Sequence, residues 1–183
     1  MENARDKSRD STRKVVKMKI EIGAGETPKK PTYHSTDIRC LPNIDYCCHA
    51  LELDKHIKPI TLTHVYARHF LEHLTFNESE QLLIMLYNLL AKGGEVEILV
   101  PNMTFHIDQW VNKRKDLKQM KHAKAGFWGW QRGENENYWD VHKSGYDEET
   151  MEQFVIPLGY VNFVSLANKM DKHLHVKFYK GEK

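Results

Sequence analysis

The sequence predicts an α/β fold: a mostly parallel sheet layered with helices, with its ligand bound at the carboxyl ends of the strands. Three observations carry this. The alternating run Lys17 to Ile22 enters a Gly23-Ala24-Gly25 turn, and an acid, Asp37, ends the next extended run. An amphipathic segment rich in leucine meets Gly93-Gly94 and passes into the alternating run Glu95 to Val100, closed by Pro101. Near the end of the chain two alternating runs, Val161 to Leu166 and Leu174 to Tyr179, flank a short polar loop and read as a hairpin.

Length and composition bound the answer. A chain of 183 residues suits one domain and is too short for two. The expected division is a flexible arm over 1–15 and one domain over 16–183, with 102–145 as an insertion or lid on the substrate side. The arm is polar and charged and lacks the apolar core of a signal peptide. A formal net charge of +2 does not by itself argue for nucleic acid. No apolar run approaches a membrane span, so no membrane partner is expected. Three cysteines, Cys40, Cys47 and Cys48, make no disulfide framework, and a cytoplasmic, reducing home is expected. Cys47 and Cys48 read as small buried apolar residues.

The elements follow in order. The first strand covers roughly Val16 to Ile22 and the second Tyr33 to Ile38. The Pro-containing stretch between them leaves room for one helical turn at most. Asn43 to Cys48 is a third strand and Thr61 to Tyr66 a fourth. Ala67 to Leu74 has helical spacing. Asn77 with Glu80 gives a capping-box pattern. Leu82, Leu83, Met85, Leu86, Leu89 and Leu90 then form the stripe of a helix that Gly93-Gly94 stops. Glu95 to Val100 is the fifth strand, with Glu97, like Lys19 of strand one, at the surface. Met103 to Lys124 is helical in part, anchored by Phe105, Ile107, Trp110 and Val111, and Ala125 to Gly145 has no clear period. Asp147 caps a helix to Leu158 that Gly159 ends.

With these pieces in place the sequence resembles the class I S-adenosylmethionine-dependent methyltransferases, most nearly small predicted members with a truncated first helix. The matching segments are Glu-Ile-Gly-Ala-Gly (21–25), Thr-Asp-Ile (36–38), Val-Tyr-Ala-Arg-His-Phe-Leu-Glu-His-Leu (65–74) and Leu-Leu-Ala-Lys-Gly-Gly-Glu-Val-Glu-Ile-Leu-Val-Pro (89–101). The resemblance implies a Rossmann-like, three-layer α/β/α class I methyltransferase sheet, mostly parallel with an antiparallel last strand. It also implies a cofactor site. Gly23, Ala24 and Gly25 would turn beneath the methionine portion, with Glu21 near its amino group. Asp37 would take the ribose hydroxyls and Ile38 would pack on adenine. Cys48, His49 and Ala50 would line the adenine edge, and Arg68 and His69 would lie beside the methionine portion. Thr27 stands in place of a third glycine, and His49 stands where related proteins often carry an acid.

The implied activity is in-line methyl transfer from S-adenosyl-L-methionine to a hydroxyl or amine of a small-molecule or carbohydrate-like acceptor. If the acceptor is a hydroxyl, a base assists, and His69 and His142 are the catalytic candidates. A divalent metal is a further candidate cofactor. On the expected helix His69, Glu72 and His73 fall on one face, and imidazoles with a carboxylate can hold a divalent ion. That spacing is similar to a Glu-x-x-Glu-His metal site of ubiquinone-biosynthesis and plant small-RNA 2′-O-methyltransferases. The second resemblance implies a further histidine from after strand five, where His142 would serve. Two other readings stay open. One is a nucleic-acid (RNA) methyltransferase, from the basic run Lys113, Arg114, Lys115, Lys118, Lys121 and Lys124. The other is a non-catalytic S-adenosylmethionine-binding protein. Trp128, Trp130 and Trp139, set among Gly and Asn, suit a lid over the acceptor.

Overall fold

The computed structural model describes residues 17–131 and 140–182. The expected arm and Trp139 lie outside the described residues. Seven strands form one sheet in the order β3-β2-β1-β4-β5-β7-β6. They are β1 (Met18–Ile22), β2 (His34–Asp37), β3 (Tyr46–Cys47), β4 (Leu62–Arg68), β5 (Leu90–Pro101), β6 (Tyr160–Ser165) and β7 (His173–Lys180). The first five pair in parallel, and β7 runs antiparallel to both β5 and β6. The helices are α1 (Phe76–Leu89), α2 (Met103–Asn112), α3 (Leu117–Trp128) and α4 (Glu148–Val155). No helix separates β1 from β2. None of the helices is long and apolar enough to cross a membrane among the described residues.

Alternation along the strands divides the sheet into two unlike faces. Ile20 and Ile22, Val65 and Ala67, Val96, Ile98 and Val100, and Leu174, Val176 and Phe178 point into one core. Leu82, Leu83 and Leu86 of α1 and Met151 and Val155 of α4 cover it. The residues between them are polar apart from Leu99 and the Tyr66 ring. Glu97 takes His175 Nε2 at 2.9 Å and Lys30 Nζ at 3.3 Å, and Lys177 Nζ reaches Glu95 at 2.9 Å. Those groups close over Glu97 and leave it only 7% exposed, so it is not the surface residue that alternation predicts. Burial pushes its carboxyl up, but His175 and the two lysines outweigh that and hold it below the usual range.

Several expectations change. Ala67 and Arg68 continue β4, and only a 3-10 turn, Leu71–His73, follows. Leu71 and Leu74 are buried there, which is why the stretch mimics helical spacing. The cap of α1 is Thr75 with Glu78, not Asn77 with Glu80: Thr75 Oγ1 accepts from Glu78 N while Glu78 Oε2 accepts from Thr75 N. The helix ends at Leu89, because Leu90 already pairs with Leu62. Residues 91–94 loop out before Glu95 pairs with His64, and Gly93 takes φ +68° in that loop. In α2 the buried side chains are His106 and Gln109, whereas Ile107 and Val111 are exposed and anchor nothing. The segment read as aperiodic from Ala125 begins inside α3, which runs to Trp128. Cys47 is exposed and bridged to Cys40, so it is neither a buried apolar residue nor a free thiol.

Candidate functional site

The direction of sheet growth reverses between β1 and β4, where such sheets open a crevice at their carboxyl ends. A cavity of about 340 Å³ lies there. The β1 turn forms its floor. Gly23 takes φ +66° and Gly25 φ +64°, a region costly for side-chain residues. A Cβ on Gly23 would come within 2.4 Å of the Phe70 ring, so the turn and the end of β4 fit only without one.

Asp37 stands at the tip of β2. Its Oδ2 accepts from Gly25 N at 2.9 Å, and its Oδ1 accepts from Arg39 N at 2.9 Å and Arg39 Nε at 3.1 Å. Burial pushes this carboxyl up, but the hydrogen bonds from Arg39 and Gly25 outweigh it and hold it below the ordinary range. Ile38 borders the cavity and is 47% exposed, an apolar surface open to a flat ring. Opposite, Cys48, His49 and Ala50 form the start of a 3-10 turn. His49 Nδ1 accepts from Leu51 N at 3.2 Å, so its proton sits on Nε2 and the cavity side meets a donor where an acid would be an acceptor. Burial, then the Glu52 charge, raises the Cys48 thiol, which disfavours a thiolate.

The far wall is the end of β4. His69 takes φ +49°, an uncommon conformation for histidine, and its N–H donates to Leu99 O at 2.8 Å. Its Nδ1 lies 3.2 Å from Glu72 Oε1, and its ring stands edge-on to His173 at 4.7 Å. Burial, then the neighbouring His69, pushes His173 down to about 4. Glu72 is 1% exposed, and its Oε2 has no hydrogen-bond partner among the described residues. His73 Nδ1 donates to Val141 O at 3.1 Å, and His142 Nδ1 donates to Gly126 O at 2.8 Å. Glu72, His73 and His142 each offer a ligating atom, all within 4.8 Å of one another. The expected helix face does not exist, and His69 stands outside this group.

The cavity thus brings together Gly23, Asp37, Ile38, Cys48, His49, Ala50 and His69. Glu21, Ala24, Gly25, Arg68 and His142 do not border it. Glu21 spends both oxygens on the backbone N–H groups of Lys29 and Lys30, at 2.8–2.9 Å, which fixes the β1–β2 connection in place of a helix. Arg68 alternates with Ala67 and so lies on the polar face. Phe70, Glu78 and Lys143 also border the cavity, and no sequence pattern marks them as site residues.

No protein-family model matches the chain, and a search among curated proteins finds no match. Solved structures do match. An S-adenosylmethionine-dependent methyltransferase from Archaeoglobus fulgidus aligns with TM-score 0.62 and 16% identity, over 90% of this chain and 86% of that one. The fold is that of the class I methyltransferases. Human N-acetylserotonin methyltransferase, solved with its cofactor, aligns with TM-score 0.55 and 11% identity, over 92% of this chain and 48% of that one. A Burkholderia thailandensis 1,6-didemethyltoxoflavin N1-methyltransferase aligns with TM-score 0.58 and 11% identity, over 91% and 72%. The chain therefore spans most of the archaeal protein and about half of the human one. Relative to a full three-layer methyltransferase fold, the missing helix between β1 and β2 leaves the polar sheet face described above.

Proposed function

We propose that the protein is an S-adenosylmethionine-dependent methyltransferase that acts on a hydroxyl or amine of a small-molecule acceptor. The observation that carries this reading is the cavity at the switch point, with the glycine turn, Asp37 and His69 on three of its sides. The residues fit the cofactor. The cavity falls in the range of small-ligand sites, its floor excludes side chains, and its rim offers a carboxylate and an apolar face. Bound there, the cofactor supplies an activated methyl group on a sulfonium.

This chain's part is to bind, orient and move a proton. Asp37 accepts the ribose hydroxyls, exchanging the Arg39 side chain for them. Ile38 packs on the base, and His49 donates to it. His69 takes the proton of a hydroxyl acceptor at Nε2, because Nδ1 is directed at Glu72. Positioning accounts for most of the rate in a transfer of this kind.

The test is calorimetric titration of S-adenosylmethionine and S-adenosylhomocysteine into the protein, with Asp37→Ala as control, followed by an acceptor screen. Micromolar binding that the substitution weakens at least tenfold supports the reading. No binding at millimolar cofactor, with or without a divalent ion, overturns it. A polyanionic acceptor such as RNA is a second reading. Lys113, Arg114, Lys115, Lys118, Lys121 and Lys124 are all exposed on the α2–α3 connection and on α3, and none forms an ion pair among the described residues. RNA binding that falls steeply with salt, together with no turnover of small acceptors, would favour it.

A further inference from the structure

The α2–α3 hairpin is inside out. Helix α2 buries His106 and Gln109, and α3 buries only Ala123, Ala125 and Gly126. The exposed side chains include large apolar ones: Ile107 is 49% exposed, Val111 55%, Leu117 84% and Trp128 47%. A helix on a globular protein ordinarily turns its apolar stripe inward. Ile107 and Val111 are i, i+4 neighbours on the face of α2 opposite His106 and Gln109. Along α3, Leu117, Lys121, Lys124 and Trp128 recur at i, i+4, i+7 and i+11 and make one exposed stripe. Trp110, at i+3 from Ile107, joins the two helices, with its ring edge-on to Trp128 at 5.6 Å between centroids.

Charge follows the same surface. Five lysines and one arginine lie between 113 and 124, all exposed, and none forms an ion pair among the described residues. Asp116 is the only acid from 109 to 131, and its Oδ1 is taken by Lys118 N and Gln119 N, at 3.0 and 3.1 Å, as the cap of α3. Leu117 stands in the first turn of α3 among these cations, where the chain turns from one helix to the next. None of these residues borders the cavity.

We propose that the α2–α3 hairpin is a docking surface for an anionic lipid bilayer, with Ile107, Val111, Leu117 and Trp128 entering the interface and the cations meeting the headgroups. Attachment of this kind lies in the plane of the surface and needs no spanning segment, which no helix among the described residues provides. A bilayer suits every part of the hairpin. Aliphatic side chains leave water for the acyl boundary, and tryptophan rings sit at headgroup depth. Lysine stems lie along apolar surface while their ammonium groups reach anionic headgroups. RNA would use the cations and stack on the tryptophans, but it would leave Leu117, Val111 and Ile107 in water. A folded protein would need a hollow shaped to receive a tip with Leu117 at its apex, whereas a bilayer yields around it.

The test is cosedimentation of the full chain with vesicles of phosphatidylcholine, alone or with about 30% phosphatidylglycerol. It needs neither cofactor nor acceptor, so its outcome is independent of the methyltransferase reading. Binding to the anionic vesicles should be at least tenfold tighter than to the neutral ones and should weaken with salt. Leu117→Ser combined with Val111→Ser, which leaves the charge unchanged, should weaken it at least tenfold. Lys118→Gln combined with Lys121→Gln should do the same, since each lysine near an anionic surface is worth about fivefold. Ile84→Ser, at a position 46% exposed on α1, should change nothing. All five substituted positions are exposed, and circular dichroism checks that the variants fold. A chain that stays in the supernatant overturns the proposal, and binding of single-stranded RNA in its place assigns the surface to nucleic acid. Binding that neutral vesicles match, that the serine pair leaves intact, or that Ile84→Ser weakens equally overturns it as well.

Discussion

Gly126 of α3 lies flat against the His106 ring of α2: a Cβ at position 126 would come within 2.3 Å of the imidazole. The same glycine's carbonyl accepts the Nδ1–H of His142 at 2.8 Å. One small residue therefore sets how closely α2 and α3 pack and where His142 sits. Gly126→Ala should destabilise the protein by about 1–3 kcal/mol, the usual cost of an extra methyl in a packed site. It should also weaken any metal bound through His142. Urea unfolding and metal titration of this variant check both effects.

His106 should make the protein acid-sensitive. Burial, then the nearby His122, pushes it down to about 4, although its Nδ1 bonds Gln109. A histidine whose folded pKa is lowered favours the unfolded chain once protons are available. Its stability contribution is complete above about pH 6.5 and is lost as pH falls toward about 4. For a group 2% exposed the loss is on the order of 3 kcal/mol. His173, likewise pushed to about 4, adds in the same window. Unfolding measured from pH 8 to pH 4 should show the decline, and His106→Gln should flatten it.

Arg39 should compete with the cofactor for Asp37. Arg39→Ala frees carboxylate positions now filled by Nε at 3.1 Å and Nη2 at 3.4 Å, and should tighten S-adenosylhomocysteine binding a few-fold. Asp37→Asn should weaken it at least tenfold. Since Asp37 is held below the ordinary carboxylate range, its ionisation should not affect binding between pH 5 and 8. Calorimetry at three pH values checks all three statements.

His49 should change how the base is read. With its proton on Nε2 it offers a donor to a ring nitrogen, not an acceptor to the exocyclic amine. The hypoxanthine analogue of S-adenosylhomocysteine should therefore bind within about fivefold of the parent. In His49→Asp the preference for adenine should rise, which competitive titration would show.

The Cys40–Cys47 bridge spans a sequence separation of 7 and ties the end of the two-residue strand β3 to the residue after Arg39. Closing a loop of this size contributes up to roughly 2–3 kcal/mol by constraining the unfolded chain. Reductant should lower the melting temperature, Cys40→Ser should match the reduced protein, and reductant should then have no further effect.

The legible parts of this molecule are those with local patterns. The alternating run into Gly23, the acid at the end of β2, the amphipathic α1 and the terminal hairpin each lie within a few residues of their own signal. They are enough for the fold class and the glycine turn of the cavity's floor, whereas the strand order came from the structure. Pattern misled where burial imitated period. Leu71 and Leu74 are buried in a 3-10 turn, and the buried face of α2 is His106 and Gln109, polar residues that hydrophobic periodicity cannot count.

The sequence by itself determined the strands with clear alternation, the glycine turn and the acid at the end of β2, because φ/ψ preference and side-chain alternation act over short stretches. Tertiary structure alone decided that Glu21 holds the β1–β2 connection, that Glu97 is buried beneath ion pairs, and that His69 stands apart from the group Glu72, His73 and His142. Those contacts depend on backbone bonds such as Lys143 N to Glu72 O at 2.8 Å. Bonds of that kind join segments far apart in the chain and leave no period or spacing in either one.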